Sequence, residues 1–349
     1  GSQNILLYLK SKGYYNATVL DSIDYTGKKA NVFYKIVPNT PYKIKGLTYS
    51  IEDSVIRRLV KVDSANCIIT RKQHFDEAIL QNERLRLESY LRNNGFYNFS
   101  RDFITFSADT SVGNHRTDVI LTIRNPLKID DEGKRIPTSF KRFKVKRVFI
   151  YPNYDPIQFL SGSQNAMLDT VEYNGIQYIF PEDPGVKLNV IHNANSIRPG
   201  IVYSNDVVSR SQNNLNLLKL YKYVNISFTE NMEASDVKTF DLFEEQASSS
   251  DTILFGYLDC HIQLSQNTLQ SYQVELVGTN TTGSLGAEGN FNYQHKNLFK
   301  GAEVFDIKLR GMVESAQQKL NPNNTLEVGG SLGLSIPKFL GPFSSNDLF

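Results

Sequence analysis

One phrase, written twice, constrains this chain more than any other feature. Residues 8–16 read Tyr8-Leu9-Lys10-Ser11-Lys12-Gly13-Tyr14-Tyr15-Asn16, and residues 90–98 read Tyr90-Leu91-Arg92-Asn93-Asn94-Gly95-Phe96-Tyr97-Asn98. In each copy an amphipathic helix stops at a glycine and an aromatic pair opens a strand. A chain that repeats a helix–Gly–strand junction is built from copies of one small unit, so its architecture reads as an array.

The first copy belongs to the tail of a unit. Ile5, Leu6 and Leu9 give a helical stripe, and Gly13 is placed to end it. Strands follow from Tyr15–Val19 and at Val32–Ile36, around a Gly27-Lys28-Lys29 turn. The second unit is complete. An alternating strand over Tyr42–Ile51 precedes a short helix around Asp53–Val60 and a long helix over about Phe75–Asn94. Strands at Phe99–Ser107 and Asp118–Arg124, with Asp109–His115 as a polar turn, complete a β-α-α-β-β order. On the long helix Ile79, Leu80, Leu87, Tyr90 and Leu91 share one side, with Glu83, Arg84, Arg86 and Glu88 mostly elsewhere.

A polar linker, 127–141, leads to a third unit. Its first strand is Phe143–Ile150, followed by a long insertion of about Asn153–Asn195 that holds a strand-like run at Tyr178–Phe180. A helix near Asp206–Leu220 and strands at Tyr223–Thr229 and Tyr257–Leu264 close the unit. Here Lys222 stands where the other junctions have glycine, so this helix end needs a different cap.

After Gln266 the texture changes. Tyr272, Val274, Leu276 and Gly278 alternate with polar residues, as do Leu285–Tyr293, Phe305–Gly311 and Leu326–Ile336. Four successive segments of about ten residues with one apolar face are the signature of membrane β-barrel strands. A soluble β-sandwich edge or an ordinary antiparallel sheet is the alternative. Glycines on the apolar faces, and a tight Thr281-Thr282-Gly283 turn alternating with longer polar loops, favour the barrel. Four strands cannot close, and lipid does not tolerate a bare edge. Strands beyond Phe349, or a second chain, are expected to complete it. At the other end Gly1-Ser2 reads as a scar of cloning, which makes the N-terminus an artificial boundary inside a helix.

Composition closes off other classes. Lys plus Arg (38) nearly balances Asp plus Glu (36), so no bulk field attracts nucleic acid. Nineteen Tyr and twenty-one Phe without any Trp favour strands over helical bundles. Cys67 and Cys260 fall in different units and read as two buried free thiols. No signal peptide and no apolar run long enough for a membrane helix is seen. The histidines 74, 115, 192, 261 and 295 are scattered, and Cys260 and His261 point to opposite faces of one strand. Gly283–Gly289 echoes a nucleotide fingerprint, but no helix pattern follows it. Asp130-Asp131 and Glu244-Glu245 sit in polar loops, where a solvated role is expected. The chain is therefore expected to be no enzyme and to carry no metal or cofactor.

With β-α-α-β-β units followed by barrel strands, the chain resembles the BamA/TamA family of outer-membrane assembly factors, whose periplasmic repeats are called POTRA domains. The likeness divides it into part of one POTRA domain (1–39), a complete one (40–126), the linker (127–141), a barrel-proximal one with an insertion (142–267) and the first barrel strands (268–349). Gly13-Tyr14-Tyr15 and Gly95-Phe96-Tyr97 resemble the family's junction before the second POTRA strand. Arg198-Pro199-Gly200 followed by Tyr203 resembles the approach to the helix of the last repeat. Asn297-Leu298-Phe299-Lys300-Gly301 is similar to the turn joining the second and third barrel strands. The Tyr-rich repeats look most like those of TamA-like members from Bacteroidota. Arg310-Gly311-Met312 is a superficial echo of the family's Arg-Gly-Phe loop, in the wrong place. Without that loop, insertase, lipoprotein-type assembly module and secretion transporter stay open.

The resemblance implies an outer-membrane location with POTRA domains in the periplasm. It implies as partners unfolded outer-membrane β-barrel proteins, periplasmic or lipoprotein assembly partners and outer-membrane lipid, and no nucleic acid. Two sites are expected. An extended client can add to the edge strand after Gly95, including Phe103, Ile104, Thr105 and Phe106, through main-chain bonds that do not depend on its sequence; the aromatic side chains there also suit the repeat's own core. The first barrel strand, Gln273, Val274, Glu275, Leu276, Val277, Gly278 and Thr279, is implied as a seam that parts sideways. Gly278 fits a strand that must open, or simply a place that only a small residue packs.

Overall fold

The computed structural model describes residues 1–157, 168–181, 183–239, 252–281, 284–316 and 324–337. The chain forms two units: residues 1–144 with 202–205 and 232–257, and residues 145–201 with 206–231 and 258–349.

In the first unit, α1 (Ser2–Ser11) stops where Gly13 takes φ +85° and Tyr14 N bonds back to Leu9 O at 2.9 Å. Glycine makes this left-handed turn without a steric penalty. β1 (Thr18–Thr26) and β2 (Lys29–Val37) pair as an antiparallel hairpin. β3 (Lys43–Ile51), α2 (Ser54–Val62), α3 (Glu77–Asn93), β4 (Ile104–Asp109) and β5 (Arg116–Ile123) then give the β-α-α-β-β order. β5 lies between β3, its parallel neighbour, and β4, its antiparallel one, so β3 and β4 are edges. Ile56, Leu87, Leu91, Phe96, Ile104 and Leu121 centre the core. Asp53 starts α2 by accepting from Val55 N and Ile56 N at 3.0 Å, as polar side chains at helix starts do.

Three details of this unit differ from the sequence expectation. The strand expected from Phe99 begins at Ile104, because Arg101–Phe103 wind into a 3-10 turn whose Asp102 N–H is capped by Ser100. Phe103 is therefore not a strand residue. Glu83, expected away from the apolar side, is fully buried: Arg86 and Ile68 N hold its carboxylate, and Arg86 also pairs with Asp63. Periodicity carries no signal for an acid that is internal because it is paired. The linker contains a small hairpin, β6 (Leu127–Ile129) with β7 (Arg135–Pro137). The Asp130 carboxylate shapes its turn by accepting from Glu132 N and Lys134 N.

β8 (Arg142–Tyr151) belongs to a five-stranded sheet with the order β11 (Tyr221–Thr239), β12 (Thr252–Gln266), β8, β10 (Ile176–Phe180), β9 (Asp169–Tyr173). α4 (Leu188–Ala194) and α5 (Asn205–Leu217) belong to the same repeat. The described residues of the stretch read as an insertion thus hold a strand pair and a helix. The β9–β10 hairpin adds to β8, with Ile176 and Tyr178 wholly buried, and α4 supplies the helix that the sequence reading lacked. α4 is seven residues long with no side-chain cap, too short for its periodicity to register. The left-handed residue ending α5 is Lys219 (φ +58°), not Lys222. Burial of Leu218, Leu220 and Tyr221 in the core ends the helix a turn earlier than the repeated phrase suggests.

β13 (Gln270–Thr281), β14 (Ser284–Lys296), β15 (Val304–Ala316) and β16 (Asn324–Ser335) form an antiparallel meander in chain order. The expected Thr281-Thr282-Gly283 turn and Glu244-Glu245 include residues outside the described ones. Register aligns Tyr272, Tyr293, Ile307 and Leu332 in one row and Val274, Phe291, Leu309 and Gly330 in the next. Directly opposed residues share a face, so the apolar positions of all four strands merge into one surface.

Candidate functional site

The repeated phrase builds the same clasp twice within the first unit. Gly13 O accepts from Tyr42 N at 2.9 Å, and Tyr42 O accepts from Phe75 N at 2.9 Å. In the second copy Gly95 O accepts from Phe143 N at 2.8 Å, and Phe143 O accepts from Tyr203 N at 2.9 Å. Each clasp is filled by three rings. Tyr15 lies 5.3 Å from Tyr42 and 5.7 Å from Phe75; Tyr97 lies 5.9 Å from Phe143 and 5.0 Å from Tyr203. A Cβ on either glycine would stand 2.8 Å from Phe75 O or 2.7 Å from Val202 Cγ1. Close approach therefore requires glycine as much as the backbone angle does.

At the β4 edge the hydrogen-bond phase is set by Arg124 N, which donates to Phe103 O at 3.2 Å. Antiparallel pairing alternates, so Phe103, Thr105 and Ser107 turn their backbone groups to β5 and its extension. Phe106 and Ala108 turn theirs outward, as does the Ile104 carbonyl, while the Ile104 N–H is taken by Arg101 O in the 3-10 turn. Of the four expected residues, Ile104 and Phe106 face the open edge; the Ile104 side chain is buried in the core, and Phe106 is half-buried. Beside this edge runs a groove of about 380 Å³. Phe106 and Ala108 line it from β4, Leu80 and Arg84 from α3, and Phe75 and Tyr15 from the clasp. Arg84 is fixed by donating to Arg101 O, at 2.8 Å from Nη2.

Gln273–Thr279 all lie in β13, an edge of the meander that pairs with β14 alone. Val274, Leu276 and Gly278 belong to the apolar face; Gln273, Glu275, Val277 and Thr279 belong to the other. The apolar face is bare: Tyr272, Leu276, Val328 and Leu332 are each more than three-quarters exposed. The opposite face is polar and internally bonded, with Arg310 paired to Glu288 at 2.9 Å and Gln294 donating to Asp306 at 2.8 Å.

Sequence reasoning found the turn between β14 and β15 but not its docking. Asn297 and Ala302 are buried, and Ala302 joins the core of the third repeat. Lys187 N donates to Lys300 O at 2.8 Å, Asn297 Nδ2 to Gly185 O at 2.7 Å, and Lys300 pairs with Asp183 at 2.5 Å. Such partners lie more than a hundred residues apart, beyond any local pattern.

Cys67 is half-buried and Cys260 buried, both as free thiols whose ionisation burial pushes up. His261 faces away from Cys260's core position, stacked on Phe149 at 5.0 Å; burial lowers its pKa. Among the described residues no group of three His, Cys, Asp or Glu is placed to hold a metal. No described helix is long and apolar enough to cross a membrane, which says nothing of strands.

No family model matches the chain, nor does any curated protein. Among solved structures it is similar to POTRA domains 3–5 of BamA from Haemophilus influenzae, at 11% identity and a TM-score of 0.35, covering 76% of this chain and 78% of that one. BamA from Haemophilus ducreyi lacking POTRA domains 1–3 matches at 11% identity and 0.36, covering 83% of this chain and 47% of that one. CdiB from Acinetobacter baumannii matches at 9% and 0.34, covering 79% and 41%. The chain thus spans less than half of the last two. Scores this low carry no argument by themselves; the weight falls on the repeats and the meander.

Proposed function

We propose that this chain belongs to an outer-membrane assembly factor that takes up unfolded barrel proteins by strand addition and passes them to a lateral seam. The single observation that carries this reading is the continuous bare apolar face of β13–β16 behind β-α-α-β-β repeats. On β14, β15 and β16 the face runs over nine residues, Leu285–Tyr293, Phe305–Val313 and Leu326–Leu334. Eight steps of about 3.4 Å, tilted by about 40°, give a band about 21 Å tall, near the roughly 25 Å of outer-membrane barrels. The polar, internally bonded face suits a watery lumen. The repeats at 1–39, 40–126 and 142–267 would then lie in the periplasm, with barrel strands from 268 onward.

Capture is proposed at β4, where the outward N–H and C=O groups of Phe106 and Ala108, with the Ile104 C=O, match an extended backbone. β13 is proposed as the seam. No bond chemistry is involved, so neither cofactor nor metal is required. The finer placement among TamA-like members of Bacteroidota rests on the Tyr-rich repeats alone. Photo-crosslinking a stalled, unfolded barrel client tests the reading: adducts are expected at Phe106 and at Leu276. A client that inserts without ever reaching either strand contradicts it. A second reading, a scaffold for lipoproteins, draws on the outer edge of β9, where Asp169–Glu172 are exposed. Deleting β9–β10 and finding partner proteins lost while client insertion persists would favour it.

A further inference from the structure

We infer that Tyr15, supplied by the preceding repeat, is a specificity-determining wall of the β4 groove and takes a large aromatic side chain of the added strand. This rests on the proposed strand addition at β4. The occupant is an extended polypeptide, because outward backbone groups at every second residue, the Ile104 carbonyl and both groups of Phe106 and Ala108, match only a chain of the same period.

Side chains of such a strand opposite Ile104, Phe106 and Ala108 share their face of the sheet, so they point toward the groove. The groove has a mixed lining. Glu77, Gln81, Thr105 and Arg84, the last held on Arg101 O, supply its polar groups, and Leu80, Phe75, Phe106 and Tyr15 its apolar ones. Its volume of about 380 Å³ lies at the low end of the roughly 300–1,000 Å³ range of ligand sites, room for a few side chains rather than a domain. Tyr15 is half-buried. Aromatic rings prefer edge-to-face partners at about 4.5–7 Å, the geometry Tyr15 already has with Tyr42. An incoming ring extends that cluster.

Two contrasts separate this role from plain packing. Tyr97 occupies the same place in the second clasp but does not line the β4 groove. At β11, the corresponding edge of the third repeat, the Gln212 amide already approaches Val224 O at 3.4 Å. The β4 edge has no such plug from its own helix among the described residues.

The test measures binding of fluorescein-labelled nine-residue peptides of alternating threonine and valine, with phenylalanine or alanine at the centre, to the whole chain in detergent. A third peptide carries N-methyl groups on alternate amides. The wild-type chain is expected to prefer the phenylalanine peptide by about three- to tenfold, the range of an aromatic pair, and to lose affinity for the methylated one. Tyr15→Ala should bring the phenylalanine-to-alanine ratio close to one while methylation still weakens binding. Tyr15→Phe should keep the ratio, and Tyr97→Ala should leave it unchanged. A ratio that persists in Tyr15→Ala, or falls equally in Tyr97→Ala, overturns the role of Tyr15 alone. Binding that ignores methylation, or no binding at all, overturns strand addition at β4 and the inference with it.

Discussion

Replacing Gly95 by alanine strikes the clasp where two constraints meet. A non-glycine residue at φ +99° costs about 1–2 kcal/mol. The new Cβ would also stand 2.7 Å from Val202 Cγ1 and 3.3 Å from Arg142 Nε, and overpacking of that kind costs about 1–3 kcal/mol. Together they amount to about 2–5 kcal/mol, a large share of the roughly 5–15 kcal/mol that holds a domain. Gly113→Ala is the internal control: its φ is +78°, yet nothing lies within 4 Å of the added carbon, so only the backbone cost applies. Hydrogen exchange followed by mass spectrometry reads the opening of 94–99 and 140–144 separately from the 110–116 turn. Gly95→Ala should loosen both clasp segments together, by at least about 1 kcal/mol more than Gly113→Ala loosens its turn. Equal costs for the two alanines, or an effect that never reaches Phe143, would refute the close-approach argument.

Two further outcomes follow from charge. Arg86→Met leaves the Glu83 and Asp63 carboxylates, both buried, without their cation, and should cost about 3–5 kcal/mol in urea unfolding; adding Glu83→Gln should restore part of that loss, and no recovery would contradict the pairing. Lys300 beside Asp183, with Gly185 N–H, holds that carboxyl below its usual range. A depressed carboxyl stabilises above its unfolded pKa and loses the contribution as pH falls through the folded one. Because the pair is more than half exposed, Lys300→Ala should cost at most about 1 kcal/mol near neutral pH, and the cost should shrink as pH falls through the depressed range of the Asp183 carboxyl; a cost that does not shrink in acid would show that Lys300 acts through packing.

What could be read from the sequence depended on the range of the cause. The clasp glycines were legible because a helix ending at Gly before two aromatics is a local pattern, and the meander was legible because period two survives in every strand. The ring contacts of Tyr15 and Tyr97 were not, since Tyr42, Phe75, Phe143 and Tyr203 come from other elements. Which β4 residues face outward depends on the 3-10 turn at Arg101–Phe103, a three-residue feature with no periodicity. Glu83 and Lys219 misled for opposite reasons: one is a charge brought inside by a partner, the other a left-handed residue without glycine's signature. The burial of Ala302 against the third repeat has no local trace.

The central claim is that β13–β16 present Leu276, Leu309 and Val328 to lipid and Gln273, Lys308 and Glu327 to water. Spin labels placed singly at these six positions, in a Cys67→Ser and Cys260→Ala background reconstituted in phospholipid vesicles, report it through collisions with oxygen and with a water-soluble nickel chelate. The first three should favour oxygen and the last three the chelate, switching with the side of the strand. Equal access of the chelate to both sets would contradict the membrane face and the function built on it.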